Sequence, residues 1–191
     1  MINIAIFASG SGSNAENITN YFKEREDVSI KLIVSNKKDA YVHERAEKLG
    51  IESVTFSKNS FENTNEVLDC LKSKQIDFIV LAGFLLKVPQ NIIDAYSQRI
   101  INIHPALLPK FGGKGMYGDN VHKAVVAAEE VESGITIHYI NENYDEGNII
   151  YQAKCDVLPT DTYEDVAEKV HKLEYLHFPE VIDKVLNHTI K

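Results

Sequence analysis

The sequence predicts an α/β fold, a single domain with a doubly wound, mostly parallel sheet and an antiparallel hairpin near its C-terminal part. Short apolar, β-branched runs alternate with helical patterns through the first half, which indicates parallel strands joined by helices. Two later runs, 134–140 and 148–157, flank a short polar turn, as in a hairpin. Because 191 residues suffice for one sizeable core, we assign residues 1–191 to one domain.

Strands and helices alternate from the first residues onward. Apolar runs predict strands at residues 2–8, 30–34, 54–56 and 77–82. Apolar residues at helical spacing predict helices at residues 15–23, 39–49, 61–74 and 89–96. Gly50 is a natural stop for the second helix, and Ser13 with Glu16 has the form of a capping box at the first.

The second half begins with a strand that ends at His104 and continues into a glycine-rich surface loop, residues 107–118. A helix capped by Asp119 or Asn120 follows and runs to about residue 130. After the hairpin, a long helix starts at Thr160 or Thr162 and ends near residue 186.

Composition disfavours several classes of protein. The formal net charge of −8 argues against a partner bound through its phosphate backbone, so we expect no nucleic acid. The longest apolar runs are too short to cross a bilayer, and the N-terminus lacks the charged start of a signal peptide. Cys70 and Cys155 lie far apart and fit reduced thiols in the cytoplasm. Without a paired His or Cys motif, we expect no metal.

Residues 99–110 form the most informative stretch of the chain. Asn102 and His104 interrupt an apolar strand two residues apart, so both side chains lie on one face. Pro105 ends the strand because it has no N–H to donate. Ligands of open α/β sheets bind at this carboxyl end of the strands. The alternative is a buried His and Asn whose hydrogen bonds are satisfied by backbone groups.

The candidate chemistry is acyl transfer without a nucleophilic side chain. His104 is suited to moving a proton, and Asn102 offers an amide N–H₂ to a carbonyl oxygen that gains negative charge. Asp145 is placed to orient the imidazole, although an Asp in a turn is also common for structural reasons. His138 either lines this site or packs in the core, and His122 lies within reach of a ligand. We therefore expect a substrate amine or water to attack the acyl carbon directly.

A second candidate site is the loop between the first strand and the first helix. Gly10 and Gly12 let the backbone approach an anion, and Ser11, Ser13 and Asn14 add donors. This arrangement predicts a phosphate site. The glycine pattern also approximates a dinucleotide fingerprint, but no acidic residue ends the second strand. A plain tight turn is the remaining alternative.

Four segments resemble the 10-formyltetrahydrofolate-dependent formyltransferases, in order and at matching spacings over nearly the whole chain. They are residues 9–14 (S-G-S-G-S-N), 81–84 (L-A-G-F), 102–109 (N-I-H-P-A-L-L-P) and 134–147. The third block is shared across enzymes that use this folate. The first loop and the short chain narrow the resemblance to members acting on phosphoribosylglycinamide, or to a deformylase.

The resemblance implies transfer of the formyl group of 10-formyltetrahydrofolate, a co-substrate, to the glycinamide amine of phosphoribosylglycinamide in purine synthesis. It implies catalytic roles for Asn102, His104 and Asp145. It implies phosphoribosylglycinamide binding by Gly12, Ser13, Asn14 and Glu174, and folate binding by Leu85, Leu86, Lys87, Val88 and Asn102. Some members carry Arg where this chain has Thr64 and Leu86, which leaves the folate contacts there open.

Other readings remain at this point. The same site could pass the formyl group to water, but deformylases of the family carry an extra N-terminal regulatory domain that we do not expect here. Formylation of methionyl-tRNA is disfavoured by the negative charge and by the expectation that no domain follows the last helix. A nucleotide-binding module would leave the catalytic residues unexplained. We expect small-molecule substrates only, no membrane partner, and a monomer or weak homodimer.

Overall fold

The computed structural model describes the backbone of residues 1–143 and 145–189 and the side chains of residues 1–143 and 145–187. Its strands are β1 (Ile2–Phe7), β2 (Val28–Ser35), β3 (Glu52–Thr55), β4 (Phe78–Leu81), β5 (Ile100–His104), β6 (Glu132–Tyr139) and β7 (Ile149–Asp156). Its helices are α1 (Ser13–Phe22), α2 (Val42–Leu49), α3 (Lys58–Asn63), α4 (Glu66–Ser73), α5 (Gln90–Ala95), α6 (Asp119–Ala127) and α7 (Tyr163–Thr189). The sheet order is β3-β2-β1-β4-β5-β6-β7, which confirms the predicted α/β fold class.

The chain divides into two compact units, Met1–Ile101 and Asn102–Lys191, and the boundary falls inside β5. The assignment of residues 1–191 to a single domain stays a prediction. The two units are described separately below.

In the first unit, β1 pairs in parallel with β2 and with β4, and β2 pairs in parallel with β3. The chain therefore adds β2 and β3 on one side of β1 and then places β4 on the other side of β1. Such a reversal of strand order opens a crevice at the carboxyl ends of the two central strands. The loop that follows β1 lies at this position. Helix α1 buries Ala15, Ile18 and Phe22, which share one helical face.

In the second unit, β6 and β7 form the predicted antiparallel hairpin, with a register shift between Ile137 and His138. Helix α7 packs against both strands and against α6. The start of α7 matches the expectation from sequence: Thr162 N–H donates to Asp165 Oδ2 at 2.8 Å, and Asp165 N–H donates to Thr162 Oγ1 at 3.2 Å. This reciprocal pair is a capping box.

The capping box predicted at Ser13 is wrong. Helix α1 already includes Ser13, and its N-cap is Gly12 in a left-handed conformation, without a side-chain cap. The carboxylate of Glu16 instead forms an ion pair with Arg45 of α2. The backbone amides of the first turn of α1 lie at the end of the glycine loop, and the N-cap residue of this helix offers them no side-chain acceptor.

The single helix predicted for residues 61–74 is also wrong, because the structure has two helices, α3 and α4. Thr64 between them is extended, with φ −133° and ψ 172°. Its hydroxyl donates to the Ser60 carbonyl at 2.9 Å and accepts from Glu66 N–H at 3.2 Å. Thr64 therefore ends the first helix, and its hydroxyl also accepts the first N–H of the second helix, whose N-cap is Asn65. Helical spacing alone does not reveal this local competition.

Within the part of the chain that the structure describes, no helix is both long enough and apolar enough to cross a membrane. The same residues contain no group of three or more His, Cys, Asp or Glu side chains able to hold a metal ion.

Candidate active site

The second unit brings together the three side chains selected from the sequence. Asn102 and His104 extend from β5, and Asp145 lies in the turn between β6 and β7. His104 Nδ1 is 3.6 Å from Asp145 Oδ2, a distance typical of an ion pair when the imidazole is charged. Asn102 reaches the same group through His138, whose Nε2 lies 3.2 Å from Asn102 Nδ2 and 3.7 Å from Asp145 Oδ1.

The imidazole of His104 is held on both sides and is only 3% exposed. Its Nε2 donates to the Phe111 carbonyl at 2.8 Å, since a carbonyl can only accept. Its Nδ1 faces the carboxylate of Asp145, which accepts the Gly113 N–H at 2.9 Å. His104 therefore donates one hydrogen bond, from Nε2, and its Nδ1 faces a carboxylate placed to balance a positive charge on the ring.

Backbone geometry explains why Asp145 reaches this position. Asp145 adopts a left-handed conformation with φ 55°, which Asp tolerates better than most residues. Gly147 packs against the carbonyl of Tyr139 so closely that a Cβ would overlap it. The turn therefore folds tightly back on β6, as its glycine predicts. Tyr144 lies outside the described residues.

The segment after His104 is anchored by Thr136 of β6. The Thr136 hydroxyl donates to the Ala106 carbonyl at 2.7 Å and accepts the Leu108 N–H at 2.9 Å. Gln152 of β7 adds a bond to the same hydroxyl at 2.8 Å. These buried bonds fix the start of the glycine-rich loop, and thereby the region that supplies the Phe111 carbonyl.

His138 is the functional candidate that sequence reasoning left undecided between the site and the core. It is fully buried, with 0% exposure, yet it contacts both Asn102 and Asp145. Alternation along β6 puts His138 on the same face of the strand as Thr136, whose hydroxyl contacts the segment after β5. Because only the structure shows that this face meets the segment after β5, the sequence alone carries no signal that selects His138.

A second polar group of this unit contains Glu174 and two histidines. Glu174 of α7 is 5% exposed, and its Oε2 lies 2.9 Å from His171 Nδ1. That hydrogen bond raises the pKa of His171. The His122 ring of α6 lies edge-on to the His171 ring, with 6.4 Å between the centroids. Its Nδ1 is buried and has no hydrogen-bond partner among the described residues. Burial, followed by the nearby His171, lowers the pKa of His122.

The lowered pKa of His122 predicts loss of stability in acid. As the pH falls below 6.5, the ordinary pKa of histidine, His122 takes up a proton in the unfolded chain before it does so in the folded protein. Protonation therefore favours the unfolded chain, and the free energy of unfolding decreases until the pH has passed the lowered pKa of the folded state. Urea unfolding of the wild type should therefore give a smaller free energy of unfolding below pH 6.5 than above it. His122→Gln should show a shallower decline. Equal pH dependence of the two proteins would contradict this role of His122.

The glycine loop of the first unit is shaped by α2. Gly12 is left-handed, with φ 73°, and a Cβ there would lie 2.6 Å from Val42 Cβ. Val42 N–H donates to the Gly10 carbonyl at 3.1 Å, and Arg45 Nε donates to the Ser11 carbonyl at 2.9 Å. The carbonyls of the loop are thus bound by α2. This arrangement suits a loop whose amides, at the start of α1, bind an anion.

Gly12→Ala is expected to distort this loop. The left-handed backbone alone costs an alanine about 1–2 kcal/mol, and the overlap with Val42 adds to that loss. We expect a lower free energy of unfolding and a KM for a phosphate-bearing substrate raised about tenfold or more, equivalent to about 1.4 kcal/mol. Gly10→Ala is the control for folding alone, because a Cβ at Gly10 meets no protein atom within 4 Å and the free energy of unfolding should stay near the wild-type value. An unchanged KM in Gly12→Ala would contradict the phosphate site.

The four residues assigned to folate binding by resemblance lie after β4 in the first unit. Leu85 and Lys87 are exposed, Leu86 is half-buried and Val88 is buried. Leu85 N–H donates to Ser9 Oγ at 2.9 Å, which ties this segment to the residue before the glycine loop. In the second unit, Lys114 and Tyr117 of the glycine-rich loop are exposed.

Comparison with known proteins adds a family to this geometry. Residues 2–182 match the family described as formyl transferase. The chloroplastic phosphoribosylglycinamide formyltransferase of Arabidopsis thaliana is 40% identical over 98% of this chain. The phosphoribosylglycinamide formyltransferase of Bacillus subtilis (strain 168) is 38% identical over 97% of this chain. The chain spans 66% of the length of the Arabidopsis relative and 62% of that of Vigna unguiculata, but 95% of the Bacillus relative.

Solved structures agree with this match. The crystal structure of phosphoribosylglycinamide formyltransferase from Bacillus halodurans has a TM-score of 0.88 and 34% identity, covering 99% of this chain and 97% of its own. The enzyme of the same name from Streptococcus pneumoniae TIGR4 has a TM-score of 0.85 and 34% identity, covering 97% of this chain and 99% of its own. The likeness therefore extends over both compact units.

Proposed function

Because this chain belongs to the formyl transferase family, we propose that it formylates the glycinamide amine of phosphoribosylglycinamide, in purine synthesis, with 10-formyltetrahydrofolate as the donor. The observation that carries the proposal is the convergence of Asn102, His104 and Asp145 in the second unit. Amide, imidazole and carboxylate are the groups that acyl transfer to an amine requires, without a nucleophilic side chain among them.

In the proposed reaction the substrate amine attacks the formyl carbon directly. A C–N bond forms, and the carbonyl electrons move onto its oxygen. The Asn102 amide and the doubly protonated His104 donate to that oxygen, and Asp145 balances the charge of the imidazolium. A proton then moves from the amine to the folate nitrogen, through His104 or a water. The electrons on the oxygen re-form the carbonyl, and the bond between the folate nitrogen and the formyl carbon breaks. The products are the formylated amine and tetrahydrofolate.

His104 Nε2 has to exchange one acceptor for another in this scheme. In the structure Nε2 donates to the Phe111 carbonyl at 2.8 Å. We propose that the substrate oxygen replaces this carbonyl, so that the imidazole keeps one acceptor at each nitrogen throughout. Exchanging equivalent hydrogen bonds costs little net free energy, whereas the bond to a developing oxyanion becomes stronger.

The binding roles follow the resemblance and are parts of the same proposal. The loop of Gly12, Ser13 and Asn14 binds the phosphate of phosphoribosylglycinamide, which the left-handed Gly12 before helix α1 supports. Glu174 binds the glycinamide end, and its burial beside His171 supports a fixed position for its carboxylate. Leu85, Leu86, Lys87 and Val88, with Asn102, border the folate.

The setting of the reaction is also proposed. Small molecules are the only partners in this proposal, with neither nucleic acid nor membrane. The cytoplasm is the proposed compartment, which the two free thiols found among the described residues support. The oligomeric state, a monomer or weak homodimer, stays a prediction.

The test is the ultraviolet absorbance of 10-formyltetrahydrofolate in the presence of the protein. Loss of the formyl donor only when phosphoribosylglycinamide is added supports the proposal. Loss at the same rate without that acceptor indicates a deformylase instead. No loss in either mixture contradicts both activities.

A further inference from the structure

The ring of His138 has one defined pattern of protonation. Its Nδ1 lies 2.9 Å from the Tyr139 carbonyl, which can only accept, so Nδ1 carries a proton. Its Nε2 lies 3.2 Å from Asn102 Nδ2, an amide nitrogen that can only donate. The Nε2 atom therefore accepts, and the ring is the neutral tautomer with its proton on Nδ1. Burial lowers the pKa of His138, against the opposing effects of the Tyr139 carbonyl and the Asp145 carboxylate.

The Tyr139 carbonyl places the proton of the neutral ring on Nδ1 independently of Asn102, so Nε2 needs a donor, and this determines which way the Asn102 amide points. One N–H of Asn102 Nδ2 donates to His138 Nε2, which leaves the second N–H of the same nitrogen to donate to a substrate. An amide rotated by half a turn would put its oxygen against Nε2, and two acceptors would face each other. The rotated amide would also offer an oxygen, rather than N–H groups, to a substrate carbonyl.

We infer that His138 is a positioning residue that holds the Asn102 amide with its N–H₂ group as the donor in formyl transfer. This inference rests on the proposed function, since Asn102 is the donor to the oxyanion there. His138 itself does not touch the substrate in this scheme. It acts through the single hydrogen bond between its Nε2 and Asn102 Nδ2.

Two substitutions separate the acceptor at Nε2 from the rest of the ring. In His138→Gln the longer side chain puts an amide oxygen where Nε2 lies, so Asn102 keeps an acceptor. In His138→Asn the shorter side chain keeps a donor near the Tyr139 carbonyl, but it does not reach Asn102. Both are uncharged amides, so they differ chiefly in the contact that the inference concerns.

Steady-state kinetics should separate these variants. We expect kcat of His138→Asn to fall by up to about 10²-fold, approaching the loss of one oxyanion donor, with KM nearly unchanged. His138→Gln should recover most of that kcat. Equal kcat in the two variants, or a change confined to KM, would overturn the positioning role. Circular dichroism establishes that both variants are folded before their rates are compared.

A spectroscopic measurement tests the ring state without any activity. In ¹⁵N-histidine-labelled wild-type protein at neutral pH, Nδ1 of His138 should show a bound proton and Nε2 should show none. A proton on Nε2 would overturn the inference even if the enzyme is active. Conversely, a wild type without formyl transfer but with the expected ring state would refute the proposed function and leave the tautomer intact.

Discussion

His104→Ala is expected to lower turnover by about 10²–10⁴-fold, the usual contribution of a positioned acid or base, while the protein still folds. The substitution removes the proposed donor to the oxyanion, which is the imidazole that faces Asp145 at 3.6 Å. It also leaves the Phe111 carbonyl without its imidazole donor, which costs less stability than at a fully buried site because Phe111 is half-buried. Turnover is measured by acceptor-dependent loss of the formyl donor, and folding by circular dichroism and urea unfolding.

Two further variants make this result interpretable. His104→Gln keeps a side-chain amide that can donate to the Phe111 carbonyl, so it tests catalysis with less disturbance of the loop. His43→Ala is the control, because His43 lies in the first unit and bonds to Ser53 and Thr55 of β3. Turnover near the wild-type value in His104→Ala would remove this imidazole from the mechanism.

Asp145→Asn is expected to reduce kcat by about 10²-fold or more, within the range for groups that support acid–base catalysis. The carboxylate lies 3.6 Å from His104 Nδ1, and in the proposed reaction its charge balances the imidazolium. Asparagine tolerates the left-handed conformation of residue 145 and can still accept from the Gly113 N–H. The change therefore removes the charge while keeping the turn, and kcat should fall much more than KM rises.

The matched control for this variant is Glu146→Gln, which neutralises an exposed carboxylate one residue along the same turn. A general effect of negative charge in the turn would lower kcat equally in both variants. That result, or wild-type kcat in Asp145→Asn, would contradict the assignment of Asp145 as the partner of His104.

The convergence of side chains at the end of β5 could be predicted in part from local patterns. Strand alternation puts Asn102 and His104 on one face, and Gly147 predicts the tight turn that carries Asp145. Which face of β6 meets these residues could not be predicted, because alternation does not specify the orientation of a strand. The register shift between Ile137 and His138 is a further long-range feature that the sequence does not reveal.

The helices show the same limit. Gly50 ends α2 in a left-handed conformation, as its residue type predicts, because this cap depends only on local backbone geometry. The start of α1 was predicted wrongly because the pairing of Glu16 with Arg45 depends on a helix 29 residues away. The break at Thr64 was missed because a hydroxyl bonded to nearby backbone competes with helical spacing.

The most direct test of the account is to follow an isotopically labelled formyl carbon from 10-formyltetrahydrofolate. With phosphoribosylglycinamide present, mass spectrometry should find the label on the glycinamide nitrogen of the product and none on the protein, since the amine attacks the formyl carbon directly. Label recovered as free formate whether or not the acceptor is present, or label trapped covalently on the chain, would contradict direct transfer.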